Sequence, residues 1–497
     1  MSALRLAEKG YSVAVLESGR HFRDADFPRT NWDVRRYLWL PKLFCLGLQR
    51  LTLLDDVLVL SGAGVGGGSL VYANTLLEPG DGFYASPEVR RLAPDLRAAL
   101  KPHYEAAKRM LGAARVPRLF PADEALREIA EETGRGATFH PVDAAVFFGE
   151  SGKTVPDPYF GGKGPERAGC KFCGGCMTGC RHNAKNTLTK NYLHLAQALG
   201  AKVFARTTAR HINDTGNGFE VVVRRSGWGF GGKRLRARRL VVSAGVLGTL
   251  RLLLASRDGL PRLSRRLGRD VRTNAEVLSG SSEFSGKTDW SQGLAISAGM
   301  RPDDATSVEA VRYGAGSDAM SLLAVRDTPA ATRWGRLARL AWRFVARPLE
   351  SARFLNPFGW AKRSTILLFM QTSDSRLRLA LSGRRLRSRP EDGAPPPPPD
   401  FPAAAEVLRR FARKTGGVPQ VSVAGALLGV STTAHILGGA VIGRGADEGV
   451  VGLDGRAFGH EGLMILDGSI VPGNLGVNPS LTIAALAENA MSRVPPK

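Results

Sequence analysis

Long apolar runs, a disulfide framework and an excess of acid are all missing from this chain of 497 residues. No apolar run reaches the roughly 18 residues a spanning helix needs. Leu38 to Leu60 comes nearest, and Lys42, Arg50, Asp55 and Asp56 break it. The first residues are amphipathic, with neither the apolar centre nor the small-residue cleavage site of a secretory signal. Five cysteines, four of them clustered, do not make the paired framework of a small secreted domain. These absences point to a cytoplasmic or peripheral-membrane location. Basic residues outnumber acidic ones 69 to 45, for a net charge of +24. Such a balance suits nucleic acid or an anionic membrane surface. No zinc finger, helix-turn-helix spacing or basic-aromatic strand pattern is present, so nucleic acid is not expected as a partner.

At this length two interlocked domains are expected. Ser2 to Gly10 reads as a helix ended by glycine, and Tyr11 to Gly19 as a buried strand closing on Glu17. An acid at that point of a dinucleotide-binding unit hydrogen-bonds the adenosine ribose. A strand at Asp56 to Leu60 runs into SGAGVGGGS, Ser61 to Ser69, with five glycines in seven residues. So many glycines cost chain entropy unless something must approach the backbone closely. Gly62, Gly64 and Gly67 formally match G-x-G-x-x-G, but they follow the acid instead of preceding it, and a lone match is weak. Helical patterns cover Pro87 to Gly112, Ala122 to Gly134 and Asn191 to Leu199. Strand patterns cover Lys202 to Ala205, Phe219 to Arg224 and Leu240 onward, the last running through a glycine turn into a helix over Thr249 to Ala255.

The most informative stretch is Leu463 to Ala490. A strand at Leu463 to Leu466 is closed by Asp467 and Gly468. A loop with Pro472, Gly473, Asn474, Gly476, Asn478 and Pro479 follows, and Ser480 stands where a helix cap belongs. A strand, a glycine-rich loop and a helix start gather N–H groups and a positive dipole end, an environment for an electron-rich cofactor. Upstream stands His435-Ile436-Leu437-Gly438-Gly439. Cys170, Cys173, Cys176 and Cys180 have the spacing of a bacterial ferredoxin segment, but Arg181 replaces the usual proline and no second cysteine run exists. A cysteine-rich turn without metal is therefore the expectation there. Ala331 to Arg347 is amphipathic, with Arg333, Arg336, Arg339, Arg343 and Arg347 on one side. Trp334, Leu337, Ala341, Phe344 and Val345 lie on the other, a composition shared by interfacial membrane helices and ordinary surface helices. Five prolines at 395–399 make a loop.

The His435 and Asp467–Pro479 segments together resemble the C-terminal signature of the GMC family of FAD-dependent alcohol oxidoreductases, nearest its sterol oxidase branch. Ile436 departs from the proline found there. The resemblance implies an α/β chain. A Rossmann-like FAD-binding domain (residues 1–130, 186–275 and 448–497) would interleave with an α+β substrate domain on a mostly antiparallel sheet (131–185 and 276–447). An apolar lid is expected at 36–54, a cysteine-rich turn at 170–180 and a proline-rich loop at 390–402. FAD is the implied cofactor. Glu17 would meet its ribose, Gly64, Gly67, Gly68 and Ser69 its flavin end, and Asp467 and Gly468 its ribityl chain and pyrophosphate. Asn478 and Pro479 would meet the ring. The implied substrate is a bulky lipid alcohol such as a 3β-hydroxysterol. His435 would take the hydroxyl proton, Asn478 would position the oxygen, and Glu309 would move a proton in a following isomerisation. Long-chain alcohol oxidation, or a truncated chain that only binds lipid or membrane, are the alternatives. In the family a strand and a G-x-G-x-x-G turn precede the first helix. Met1 falls within that helix here, so a truncated chain lacking its first strand is expected.

Overall fold

The structure is a computed structural model that describes every residue except 230 and 329–331. Two short parallel ladders form the first part of the fold. Ala14–Leu16 pairs with Lys202–Phe204, and Leu240–Val242 pairs with Leu463–Ile465. Leu463, Met464 and Ile465 are buried, as apolar parallel strands tend to be, whereas Ala14, Lys202 and Phe204 of the first pair are exposed. Among the described residues no ladder joins the two pairs. Helices Ser2–Glu8, Tyr192–Ala198 and Ser480–Ser492 pack together beside them. The buried Glu488 carboxylate holds all three, accepting from Arg5 at 2.8 Å and from the Tyr192 hydroxyl at 2.6 Å. The helical pattern over Pro87 to Gly112 divides into Pro87–Leu92 and Leu96–Leu111. Pro94 falls at the break, and Asp95 restarts the helix by accepting from the Ala98 N–H at 2.9 Å.

The second part is a seven-stranded sheet in which every neighbour is antiparallel. Its order is Ala324–Arg326, Val418–Ser422, Val277–Ser282, Ser364–Gln371, Thr306–Val311, Ile296–Met300 and His140–Pro141. The region read as strands from Arg301 to Asp327 supplies two of these, with a 3₁₀ turn at Asp318–Leu323 between them. Val277, Val308 and Phe369 turn to one face, under helices Pro121–Glu132 and Pro402–Thr415. Leu278, Leu368 and Glu309 share the other, because Leu368 pairs with both Leu278 and Glu309 and directly opposed residues point the same way.

A third ladder links the parts. Ser431–Thr433 runs parallel to Val57–Gly62, so both strands end at the same edge, one leading to His435 and the other into the Gly64–Ser69 turn. Ligand sites in such sheets lie beyond the carboxyl ends of strands for this reason. The 36–54 region is a hairpin-like excursion rather than a core helix. Tyr37, Trp39 and Leu48 are buried, while Leu43 and Phe44 at its tip are 69% and 76% exposed. The amphipathic segment from Ala331 forms the helix Arg333–Ala346, Ala331 itself lying outside the described residues. No helix among the described residues is long and apolar enough to cross a membrane.

Candidate active site

Four side chains from distant parts of the chain meet on the inner sheet face. Glu309 lies in strand Thr306–Val311. Glu276 immediately precedes strand Val277–Ser282 and, two residues before Leu278, faces the same way. The Asn478 amide donates to Glu309 Oε2 at 3.0 Å, both groups being buried. His435 Nδ1 pairs with Glu276 Oε1, and Glu276 Oε2 accepts from the Ala434 N–H at 2.7 Å. The carboxylate thus holds both the ring and its backbone. Thr433 adds a second tether, its hydroxyl accepting from the His435 N–H at 2.9 Å and donating to the Thr273 carbonyl. Asn274 positions the other loop, donating to Val477 O and accepting from the Gly476 N–H, each at 2.9 Å.

Burial alone would lower the basicity of His435. The Glu276 carboxylate overcomes that and Glu309 adds to it, so the imidazole titrates above its ordinary value. Burial pushes Glu309 up to about 7, against the opposing pull of Asn478 and His435. A carboxyl that titrates at about 7 and an imidazole of raised basicity thus lie side by side. Glu309 Oε1 and Asn478 Oδ1 are buried with no protein partner. Two unpartnered acceptors on neighbouring side chains are a place for a bound group.

The two C-terminal segments expected to act together do meet. Gly438 N–H donates to Gly468 O, and Ala440 N–H to Ser469 O, both at 2.9 Å. Asp467 is buried, which raises its pKa against the hydrogen bonds it accepts from the Ser469 N–H and the Thr249 hydroxyl. Glu17 closes strand Ala14–Leu16 and receives the N–H groups of Gly19 at 2.6 Å and Gly64 at 3.3 Å, so it and the glycine turn are neighbours. Ser69 spends its hydroxyl inside that turn, donating to Gly66 O and accepting from the Leu188 N–H. Ser480 does not cap the last helix. Pro479 occupies the cap position and Ser480 donates to Thr75 O. The N-terminus of that helix is left without a side-chain cap, right after Asn478.

A flavin dinucleotide fits these residues. A Cβ placed on Gly67, Gly68 or Gly245 would meet nothing within 4 Å, so these glycines border open space rather than packed neighbours. An uncapped helix start and an acid at a strand end are two further features that dinucleotide sites use. Two contributors escape a reading of the sequence. Glu276 stands singly before an apolar strand, with only that unexpected charge as a signal. Asn74 follows the glycine turn at φ 73°, buried, with neither amide atom partnered. Its one clue is an asparagine tolerant of the left-handed region next to that turn.

Open glycines beside parallel strand ends, together with a paired histidine and glutamate, define a dinucleotide-cofactor oxidoreductase. The chain belongs to the GMC oxidoreductase family, whose models match at residues 165–272 and 410–487. Accordingly it is an FAD-dependent alcohol oxidoreductase. It is 44% identical over 520 residues to a cholesterol oxidase of Mycobacterium tuberculosis (strain ATCC 25618 / H37Rv), spanning 100% of this chain and 89% of that protein. It is 40% identical over 523 residues to a cholesterol oxidase of Acinetobacter baumannii, spanning 100% and 92%. Among solved structures, pyridoxine 4-oxidase from Mesorbium loti superposes with a TM-score of 0.61 at 15% identity, over 99% of this chain and 96% of that one.

Proposed function

We propose that the chain oxidises the 3β-hydroxyl of a sterol to the ketone and then moves the adjacent double bond. The observation that carries this reading is the convergence of His435, Glu276, Asn478 and Glu309 on one sheet face. The cholesterol oxidases at 40–44% identity support the substrate class. FAD, when bound, supplies the acceptor for the carbinol hydride. Glu17 would hold its ribose, and Gly64, Gly67 and Gly68 would hold its flavin end. Asp467 and Gly468 would hold its ribityl chain and pyrophosphate, and Pro479 would meet the ring. His435 takes the hydroxyl proton, and Glu276 fixes the ring through Nδ1 and stabilises the charge it gains. Asn478 aligns the substrate oxygen. Glu309 then removes a proton from the carbon between the ketone and the double bond and returns it further along the chain of carbons.

The domain division follows the same logic. Residues 1–130, 186–275 and 448–497 carry the cofactor, and 131–185 and 276–447 the substrate. Lipid access is assigned to the exposed apolar surface. Leu43 and Phe44 project from the 36–54 hairpin, and Trp334, Trp342, Val345, Leu349 and Phe358 from the helical arm beyond it. Trp32, just before the hairpin, and Phe358, just after the arm helices, meet with ring centroids 6.3 Å apart. With a net charge of +24, that surface suits peripheral contact with an anionic bilayer.

The test is turnover of a 3β-hydroxysterol against a long-chain primary alcohol by the FAD-loaded protein. A sterol preference of about a hundredfold in kcat/KM is expected, corresponding to roughly 3 kcal/mol of differential binding. An equal or reversed preference would remove the sterol assignment. Appearance of only the unconjugated ketone would remove the isomerisation.

A further inference from the structure

The proton transfers to His435 and Glu309 give no task to Cys170, Cys173, Cys176 and Cys180. All four line one cavity of about 230 Å³, together with Arg29 and Lys185. They are free thiols, and each lies within electrostatic range of the other three. Among the described residues no three ligating side chains close tightly enough to share a single ion. That disfavours mononuclear zinc, which needs all its sulfurs about 2.3 Å from one point. A polynuclear cluster carries its cysteines at separate corners, spread around a larger body.

One sulfur is already furnished with a donor, the Phe172 N–H pointing to Cys170 Sγ at 3.4 Å. N–H···S bonds of this kind tune iron–sulfur centres. Phe148, Phe172, Met177 and Leu294 pack around the cysteines, and the basic side chains of Arg29, Lys171, Arg181, His182 and Lys185 also line the cavity. Lys185 is buried and gives its protons to the carbonyls of Leu70, Tyr72 and Cys176.

We propose that Cys170, Cys173, Cys176 and Cys180 together ligate a four-iron, four-sulfide cluster. All four ligands come from one run and serve one cluster, which accounts for the absence of a second cysteine segment. Lys185 ties this run to the carbonyls of Leu70 and Tyr72, so the cluster lies one side chain from the glycine turn assigned to the flavin.

Purification of the full chain without oxygen, followed by iron and acid-labile sulfide assays, decides the matter. About four irons and four sulfides per chain are expected, with a low-temperature paramagnetic signal after dithionite reduction. The variants Cys173→Ser and Cys176→Ser should lose iron and sulfide by about tenfold while keeping their FAD and circular dichroism. Cys45→Ala, in the apolar hairpin, should keep all of them. An anaerobic protein without iron even after reconstitution with ferrous iron and sulfide would overturn the proposal. So would one zinc per chain, or full iron in both serine variants. If a serine variant does not fold, the stoichiometry of the unaltered chain decides alone. None of these readouts depends on which alcohol is oxidised.

Discussion

At the scale of single residues, His435 and Glu309 are within reach of each other's charge, and their titrations set the pH behaviour. His435→Ala should retain the flavin absorbance and lose about 10²- to 10⁴-fold in kcat, measured by steady-state turnover. The acid limb of the pH profile reports protonation of His435. Because Glu276 raises that value, Glu276→Gln should move the limb to lower pH while lowering the maximum rate. An unmoved limb in kcat/KM would detach Glu276 from the proton transfer. Glu309 is an acid whose folded-state pKa lies near 7, above its unfolded value. Its contribution to stability is therefore fully present below the unfolded pKa near 4.5 and is lost as pH rises through 7. Glu309→Gln should then stabilise the protein at pH 8 by roughly 3 kcal/mol and hardly at all at pH 4, as thermal unfolding would reveal. The same variant should release the unisomerised ketone.

At the scale of elements, the Gly64–Ser69 turn matters for the space it leaves. A Cβ added at Gly68 would have no neighbour within 4 Å, and the position needs no left-handed backbone. Gly68→Val should therefore fold normally by circular dichroism yet bind FAD at least about tenfold more weakly. Normal FAD content would place the cofactor elsewhere. The hairpin tip makes a separate prediction. Phe44→Asp, combined with Leu43→Asp, should weaken sedimentation with anionic vesicles by about tenfold without changing turnover of detergent-dispersed sterol. From sequence the form of this apolar stretch stays open, because period alone does not separate a short apolar helix from a twisted hairpin.

At the scale of the whole molecule, the antiparallel sheet and the parallel ladders must hold together for the pocket to exist. The buried pair of Arg312 and Asp123, at 2.8 Å with both side chains fully covered, ties the sheet to helix Pro121–Glu132. Arg312→Met would strand a buried carboxylate and should cost about 3–5 kcal/mol in denaturant unfolding.

Much of this is legible in the chain itself. The alternation of helix and strand, the glycine-rich turn, the strand bearing Glu309 and the His435 and Asn478 segments are local patterns, and local patterns follow from side-chain period and backbone freedom. What only the tertiary structure decided is which of these side chains meet. Asn478 and Glu309 are 169 residues apart, and Glu276 precedes the Ala434 N–H it holds by 158. No period in a sequence encodes such a pairing, because sheet register and the packing of one face determine it. The four cysteines illustrate the same division: their spacing is written in the sequence, but their shared cavity and the buried lysine beside them arise only when the chain has folded.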